Sequence, residues 1–352
     1  NKSKDYFFFY LKIEKIMAEL NTSVMLGKLQ LKNRVVMSPL TRSRATDTRV
    51  PTDLMVQYYA QRASAGLIIS EATVISEEAN GYLNTPGLYS AEQVVGWKKV
   101  TDAVHAKGGL MVAQLWHVGR ISHPDLLNGE TPVAPSAIKP AGQVSLLRPK
   151  RDYVTPRALE TAEVKAIVQQ FKESAVLARY AGFDGVMLHA GNGYLIDQFL
   201  QSTTNTRNDE YGGSLENRAR FTLEIMDALI EIWGASGVSV HFAPLGDDYD
   251  MGDANPKETF GYVMQELAKR QIGFFFTREN ISDDSISQHM RAQAGNVPYI
   301  ANMGLTRDSA IQLLESGQAD AVAFGKAYIA NPDLYDSVVD DAPVHKLKLA
   351  NT

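Results

Sequence analysis

The sequence predicts an α/β chain folded as one (β/α)8 TIM barrel, a single domain, and three observations carry that expectation. Eight short aliphatic or β-branched runs recur along the chain, each followed by a polar or glycine-rich loop and most by a stretch with helical periodicity. The runs are almost wholly apolar, as strands covered on both faces must be. Their number exceeds the roughly five or six strands of a doubly wound sheet and matches the eight of a barrel.

The first four runs are Arg34–Ser38 (RVVMS), Gly66–Ser70 (GLIIS), Leu110–Leu115 (LMVAQL) and Gly185–Leu188 (GVML). The last four are Val238–Phe242 (VSVHF), Gly273–Phe276 (GFFF), Val297–Ala301 (VPYIA) and Ala321–Phe324 (AVAF). Between them, Ala162–Leu177 and Arg307–Glu315 carry apolar residues at three- and four-residue spacing, the mark of a helix with one buried face. Ser214, after the turn Tyr211-Gly212-Gly213, reads as the N-cap of a further helix. Two inserts interrupt the repeat. Gly119–Thr155 holds five prolines and little periodicity, and loops of that length in a compact domain tend to carry function. Gln201–Gly213 is a polar stretch after the fourth run.

Composition narrows the function classes. The chain has 352 residues, 45% of them hydrophobic, and a net charge of −5, so no basic field exists to collect nucleic acid. No stretch approaches the ~20 apolar residues needed to span a bilayer, and a cytoplasmic protein, monomer or homodimer, is the expectation. Cysteine is absent, which removes disulfides, thiolate metal sites and a cysteine nucleophile. No metal site is expected. Residues 1–16 read as an extension ahead of a plausible start at Met17, residues 17–340 as the barrel, and residues 341–352 as a short tail.

In a barrel of this kind the active site lies at the C-terminal ends of the strands. The fourth run ends in Leu188-His189-Ala190-Gly191-Asn192-Gly193-Tyr194. His189 and Asn192 can both donate to one acceptor atom, and Tyr194 is a phenol that holds its proton at neutral pH, an acid rather than a base. Two donors on an oxygen beside a proton source suit an activated carbonyl compound, although three such groups could also merely satisfy buried backbone. Other strand ends supply Pro39 and Thr41, Glu71 and Ala72, Gln114 with Trp116 and His117, and His241. Gly304 after the seventh run, and Gly325 with Lys326 after the eighth, match the phosphate site that barrels often build there from backbone N–H groups.

On these residues the chain resembles the Old Yellow Enzyme family of FMN-dependent ene-reductases, in particular its bacterial alkene or N-ethylmaleimide reductase branch. The matching segments are Asn33–Arg42, Ser70–Thr73, Gln114–Arg120, His189–Leu200, Tyr211–Arg218 and Ala321–Leu334, within a resemblance that spans Leu20 to Leu334. The resemblance implies FMN, non-covalently bound, with Pro39, Thr41, Ala72, Gln114 and His241 around the isoalloxazine. Gly304, Gly325 and Lys326 would then hold its phosphate. It implies NADPH or NADH as reductant and small activated alkenes as substrates, gripped by His189 and Asn192, protonated by Tyr194 and walled by Trp116 and Tyr82.

Three departures from the family pattern stand out. Many members carry arginine where His241 stands, so charge stabilisation of the reduced cofactor is expected to be weaker here or pH-dependent. Lys326 replaces a usual arginine, a point charge for a bidentate fork. The sequence also stops soon after Asp340, where members usually continue with an aromatic segment over the barrel, so a less covered mouth is expected. Two other readings stay open: a degenerate barrel that binds flavin without efficient turnover, and a flavin-free phosphate-binding isomerase or aldolase. Against the latter, no lysine stands at an inner strand end for a Schiff base.

Overall fold

In a computed structural model that describes residues 19–346 apart from 281 and 283, eight parallel strands close on themselves. They are β1 (Val35–Met37), β2 (Leu67–Ile69), β3 (Met111–Trp116), β4 (Gly185–His189), β5 (Val238–Phe242), β6 (Phe274–Arg278), β7 (Tyr299–Asn302) and β8 (Ala321–Phe324). Each pairs with the next, β8 returns to β1 with Phe324 opposite Met37, and Ile68 of β2 lies opposite Met111 of β3. That last pairing leaves no open edge. The expected extension 1–16 and the last six residues of the expected tail lie outside the described residues.

All eight apolar runs are strands, with ends displaced by at most two residues. The displacement matters at the C-terminal ends. β4 extends through His189, and β6 runs two residues beyond its apolar stretch to Arg278. A polar side chain can close a buried strand where its inward direction opens onto a cavity rather than onto core.

Strand alternation sorts the apolar residues into two cores. Outward residues such as Val186, Leu188, Val240, Phe242 and Phe275 pack against the surrounding helices. Inward residues Val36, Leu67, Ile69, Val112, Met187, Phe274, Phe276 and Ile300 fill the barrel axis. A hairpin of Val24–Leu26 and Leu29–Leu31 plugs the bottom, contributing Leu26, Leu29 and Leu31 to the inner cluster.

Helices α1 (Asp53–Ala60), α2 (Ala91–Ala106), α3 (Thr161–Tyr180), α4 (Leu215–Trp233), α5 (Pro256–Lys269), α6 (Ser287–Gln293), α7 (Arg307–Glu315) and α8 (Leu334–Val339) form the outer layer. The boundaries have local causes. Ser90 caps α2 in a reciprocal box with Gln93, and the Ser214 side chain accepts from the backbone N–H of Asn217 at the start of α4, as expected from the sequence. The insert Gly119–Thr155 is mostly irregular, and it meets the barrel through short paired strands, Val133–Ala134 and Arg157–Ala158. Among the described residues no helix is long and apolar enough to cross a membrane.

Phe274 is buried on the barrel axis, where little can collapse into the space it leaves. Phe274→Ala is expected to cost about 3–5 kcal/mol, read as a lower midpoint of denaturant unfolding.

Candidate active site

The top layer of the barrel interior is polar where the layers beneath are apolar. Gln114 lies one alternation above Val112, His189 above Met187, His241 above Ser239, and Arg278 above Phe276. They open into a cavity of about 650 Å³, within the usual range for small-molecule and cofactor sites. Its wall also includes Pro39, Thr41, Ala72, Trp116, Asn192, Tyr194, Gly304, Gly325 and Lys326. Twelve of the thirteen site residues expected from the sequence therefore share one cavity. Tyr82 stands behind the wall, stacked on Trp116 with centroids 5.3 Å apart and its hydroxyl 2.8 Å from that of Tyr194.

The rings form an ordered row. Trp116, His189 and His241 lie nearly parallel, with centroids 6.3 Å and then 4.8 Å apart, and the Tyr194 ring stands edge-on to His189 at 5.1 Å. The loop that sets this geometry is tightly specified. Asn192 adopts a left-handed φ of 58°, which asparagine tolerates better than most side chains. Gly193 follows at φ 79°, and a Cβ there would lie 3.0 Å from Met251 Cγ and 3.1 Å from Tyr249 Cδ2. The buried Asp197 carboxylate accepts the Gly193 N–H at 2.9 Å, and Gln198 Nε2 donates to the Gly193 carbonyl at 2.8 Å. Tyr194 thus leaves the loop in a held direction.

Electrostatics assign each group a form. Burial, helped by the nearby Arg278 guanidinium, pushes the His189 imidazole down to about 3, so the ring is neutral at physiological pH. Burial, with His189 and Arg278 alongside, likewise holds His241 well below the usual histidine range. Gln114 Nε2 lies 3.0 Å from His241 Nδ1, and with the amide donating, the proton of the neutral ring sits on Nε2. Burial thus works against a charged His241. Burial raises the Tyr194 phenol above its ordinary range, so it keeps its proton.

Arg278 escaped the sequence reading. Its Nη1 donates to Asn192 Oδ1 at 3.0 Å. A guanidinium has no acceptor, so the amide must turn its oxygen to Arg278 and leave its NH2 for an acceptor elsewhere. The available signal was strand parity: Arg278 is two residues beyond the inward Phe276, on the same face. Tyr249, Asn280 and Asn302, which also line the cavity, lie on loops or strand ends where no pattern marked them.

The residues fit FMN. His189 Nδ1, His241 Nε2 and Trp116 Nε1 are buried with no partner among the described residues, as donors and acceptors awaiting a polar planar ligand are. After β7 and β8, Gly304 at φ 67° and Gly325 leave backbone accessible beside Lys326, suited to an anionic group. Among the described residues no cluster of three or more potential metal ligands occurs. A barrel whose cavity gathers an imidazole, an amide and a phenol after strand four, and two glycines with a lysine after strands seven and eight, fits a flavin oxidoreductase.

The model of the NADH:flavin oxidoreductase / NADH oxidase family matches residues 19–343, and this chain belongs to that family. It is 40% identical to a flavin oxidoreductase of Emericella nidulans, over 90% of this chain and 89% of that one. Among solved structures, it is similar to the Old Yellow Enzyme homologue of Zymomonas mobilis, with 40% identity, a TM-score of 0.91 and coverage of 93% and 94%. It is similar too to morphinone reductase in complex with tetrahydroNAD, at 43% identity, TM-score 0.90 and coverage of 94% and 92%. The protein is therefore a flavin-dependent oxidoreductase of the NADH:flavin type.

The neutral imidazoles have a thermodynamic consequence. Unfolded, His189 takes up a proton near pH 6.5; folded, it does so only near about 3. Between these values the unfolded chain binds more protons, so this group lowers stability as pH falls below about 6.5, by up to about 1.4 kcal/mol per pH unit. Glu71 and Asp197, both pushed up to about 7 by burial, act in the opposite sense. The difference between wild type and His189→Asn isolates the imidazole. Denaturant unfolding of the apoprotein at about pH 7 and 5 should show the variant losing less stability on acidification.

Proposed function

We propose that this barrel reduces the C=C bond of α,β-unsaturated carbonyl, nitro or maleimide compounds, with His189 and Asn192 polarising the substrate oxygen and Tyr194 protonating Cα. The observation that carries the reading is the convergence on one cavity of a neutral imidazole, an amide turned NH2-outward by Arg278, and a protonated phenol. Two donors aimed at one oxygen stabilise charge as it develops there. In this reading Pro39, Thr41, Ala72, Gln114 and His241 contact the isoalloxazine, and Gly304, Gly325 and Lys326 hold the phosphate. Bound FMN supplies the hydride, and NADPH or NADH replenishes it.

Trp116 walls the substrate side, with Tyr82 supporting it from behind. Arg278 supplies the fixed positive charge that the neutral His241 lacks, and it orients Asn192 as well. A monomer or homodimer working in the cytoplasm on the nicotinamide pool, with no nucleic-acid or membrane partner, belongs to the same proposal. The rival of a flavin binder without turnover is disfavoured by the complete donor–acid set. The flavin-free rival runs against the family.

Anaerobic reduction by NADPH, followed by mixing with cyclohexenone or N-ethylmaleimide in a stopped-flow instrument, tests the reading. Flavin that reduces but never reoxidises with an activated alkene would refute it. Tyr194→Phe should slow alkene-dependent reoxidation by roughly 10² to 10⁴, the usual contribution of a general acid, and affect reduction by NADPH far less. Arg278→Leu should raise KM for the alkene and lower the flavin midpoint potential by tens of millivolts, about 30 mV for each ~1.4 kcal/mol of charge stabilisation lost. Potentiometric titration showing an unchanged potential would remove the charge role.

A further inference from the structure

Behind Tyr194 the structure places two more phenols that the reaction as described does not use. The Tyr82 hydroxyl lies 2.8 Å from that of Tyr194, and the Tyr249 hydroxyl lies 3.4 Å from that of Tyr82. Beyond them, the Tyr153 ring meets Tyr249 edge-on at 5.8 Å. Tyr249 is partly buried, and its chain neighbours Asp248 and Asp250 are exposed carboxylates. The row therefore runs from the catalytic phenol to a segment that borders solvent.

Tyr249 is held there against its backbone preference. It adopts φ 61° and ψ 32°, a left-handed conformation that costs a bulky residue about 1–3 kcal/mol. The buried Arg120 secures it, donating from Nη2 to the Tyr249 carbonyl at 2.6 Å while Nη1 ties the same side chain to the Ile138 carbonyl at 3.0 Å. Its ring lies against Gly193, the residue before Tyr194, where even a Cβ would crowd it. Strain maintained by a buried arginine marks a position that the surroundings over-determine.

We propose that Tyr82 and Tyr249 form a proton relay that recharges Tyr194 between turnovers. The inference rests on Tyr194 as the proton donor. When Cα gains its proton, the new Cα–H bond forms as the Tyr194 O–H bond breaks. The Tyr82 proton then passes to the Tyr194 oxygen, and the Tyr249 proton to the Tyr82 oxygen. A solvent acid, water or buffer, protonates Tyr249, so each cycle draws one proton from outside. Transfer between like phenols is close to thermoneutral. The 3.4 Å link is the longest step, of the kind that tightens when substrate fills a site.

The signature is a burst. In the relay, Tyr194 carries its own proton into the first turnover and depends on Tyr82 only afterwards. With pre-reduced holoenzyme and excess NADPH and cyclohexenone, Tyr82→Phe, which keeps the ring on Trp116, should turn over once at a rate close to wild type. Later turnovers should run roughly tenfold slower, with an enlarged solvent deuterium isotope effect. Tyr249→Phe should give the same pattern more weakly. First and later turnovers slowed alike, or neither slowed, would overturn the relay and leave Tyr82 as packing. If Tyr194→Phe itself fails to slow alkene reduction, the donor assignment fails instead, a result distinguishable from loss of the relay alone.

Discussion

Pairing of β2 with β3 closes the sheet, and that closure constrains everything above it. A closed sheet has one interior, so every second side chain of every strand must face a shared axis. The lower layers satisfy this with Val36, Leu67, Val112, Met187, Phe274 and Ile300, while the hairpin leucines seal the bottom. At the top the same alternation has no partner layer to meet. It delivers Gln114, His189, His241 and Arg278 to one open space, at heights set by strand register rather than by loops. The site is accurate because it is the last layer of a packed core.

That origin explains its electrostatics. Groups ending a core inherit its low polarity, so the two imidazoles stay neutral and the phenol stays protonated. Beside the two imidazoles the positive charge is carried by an arginine. Arg278 reaches from β6 to Asn192 beyond β4 and passes the two histidines on the way, biasing both against protonation. One cation therefore fixes an amide orientation, keeps a donor neutral and supplies charge to the cavity. Gly304, Gly325 and Lys326, after β7 and β8, line the same cavity.

The loop after β4 shows how much structure one short segment requires. Asn192 and Gly193 both take left-handed backbone, and Asp197 and Gln198 clamp the second of them from a helix immediately downstream. The insert between β3 and α3, irregular in sequence, contributes through Arg120, which reaches Tyr249 across the barrel mouth. Segments with no periodic signal can thus be as strongly determined as strands when buried polar groups tie their backbone.

Local pattern alone determined the eight strands, the placement of His189, Asn192 and Tyr194 after the fourth of them, and the Ser214 cap, because each depends on neighbours within a few residues. Strand ends were less legible. The apolar run of β6 stops at Phe276, and nothing nearby in the chain says that Arg278 remains in register and faces inward. Its partner Asn192 is 86 positions away, a separation no periodicity spans. Tyr249 and Arg120 are joined only because the barrel brings two loops together, and Tyr82 is placed behind the cavity wall rather than in it by its stacking on Trp116. Tertiary structure decided these contacts because they depend on which strands become neighbours when the sheet closes.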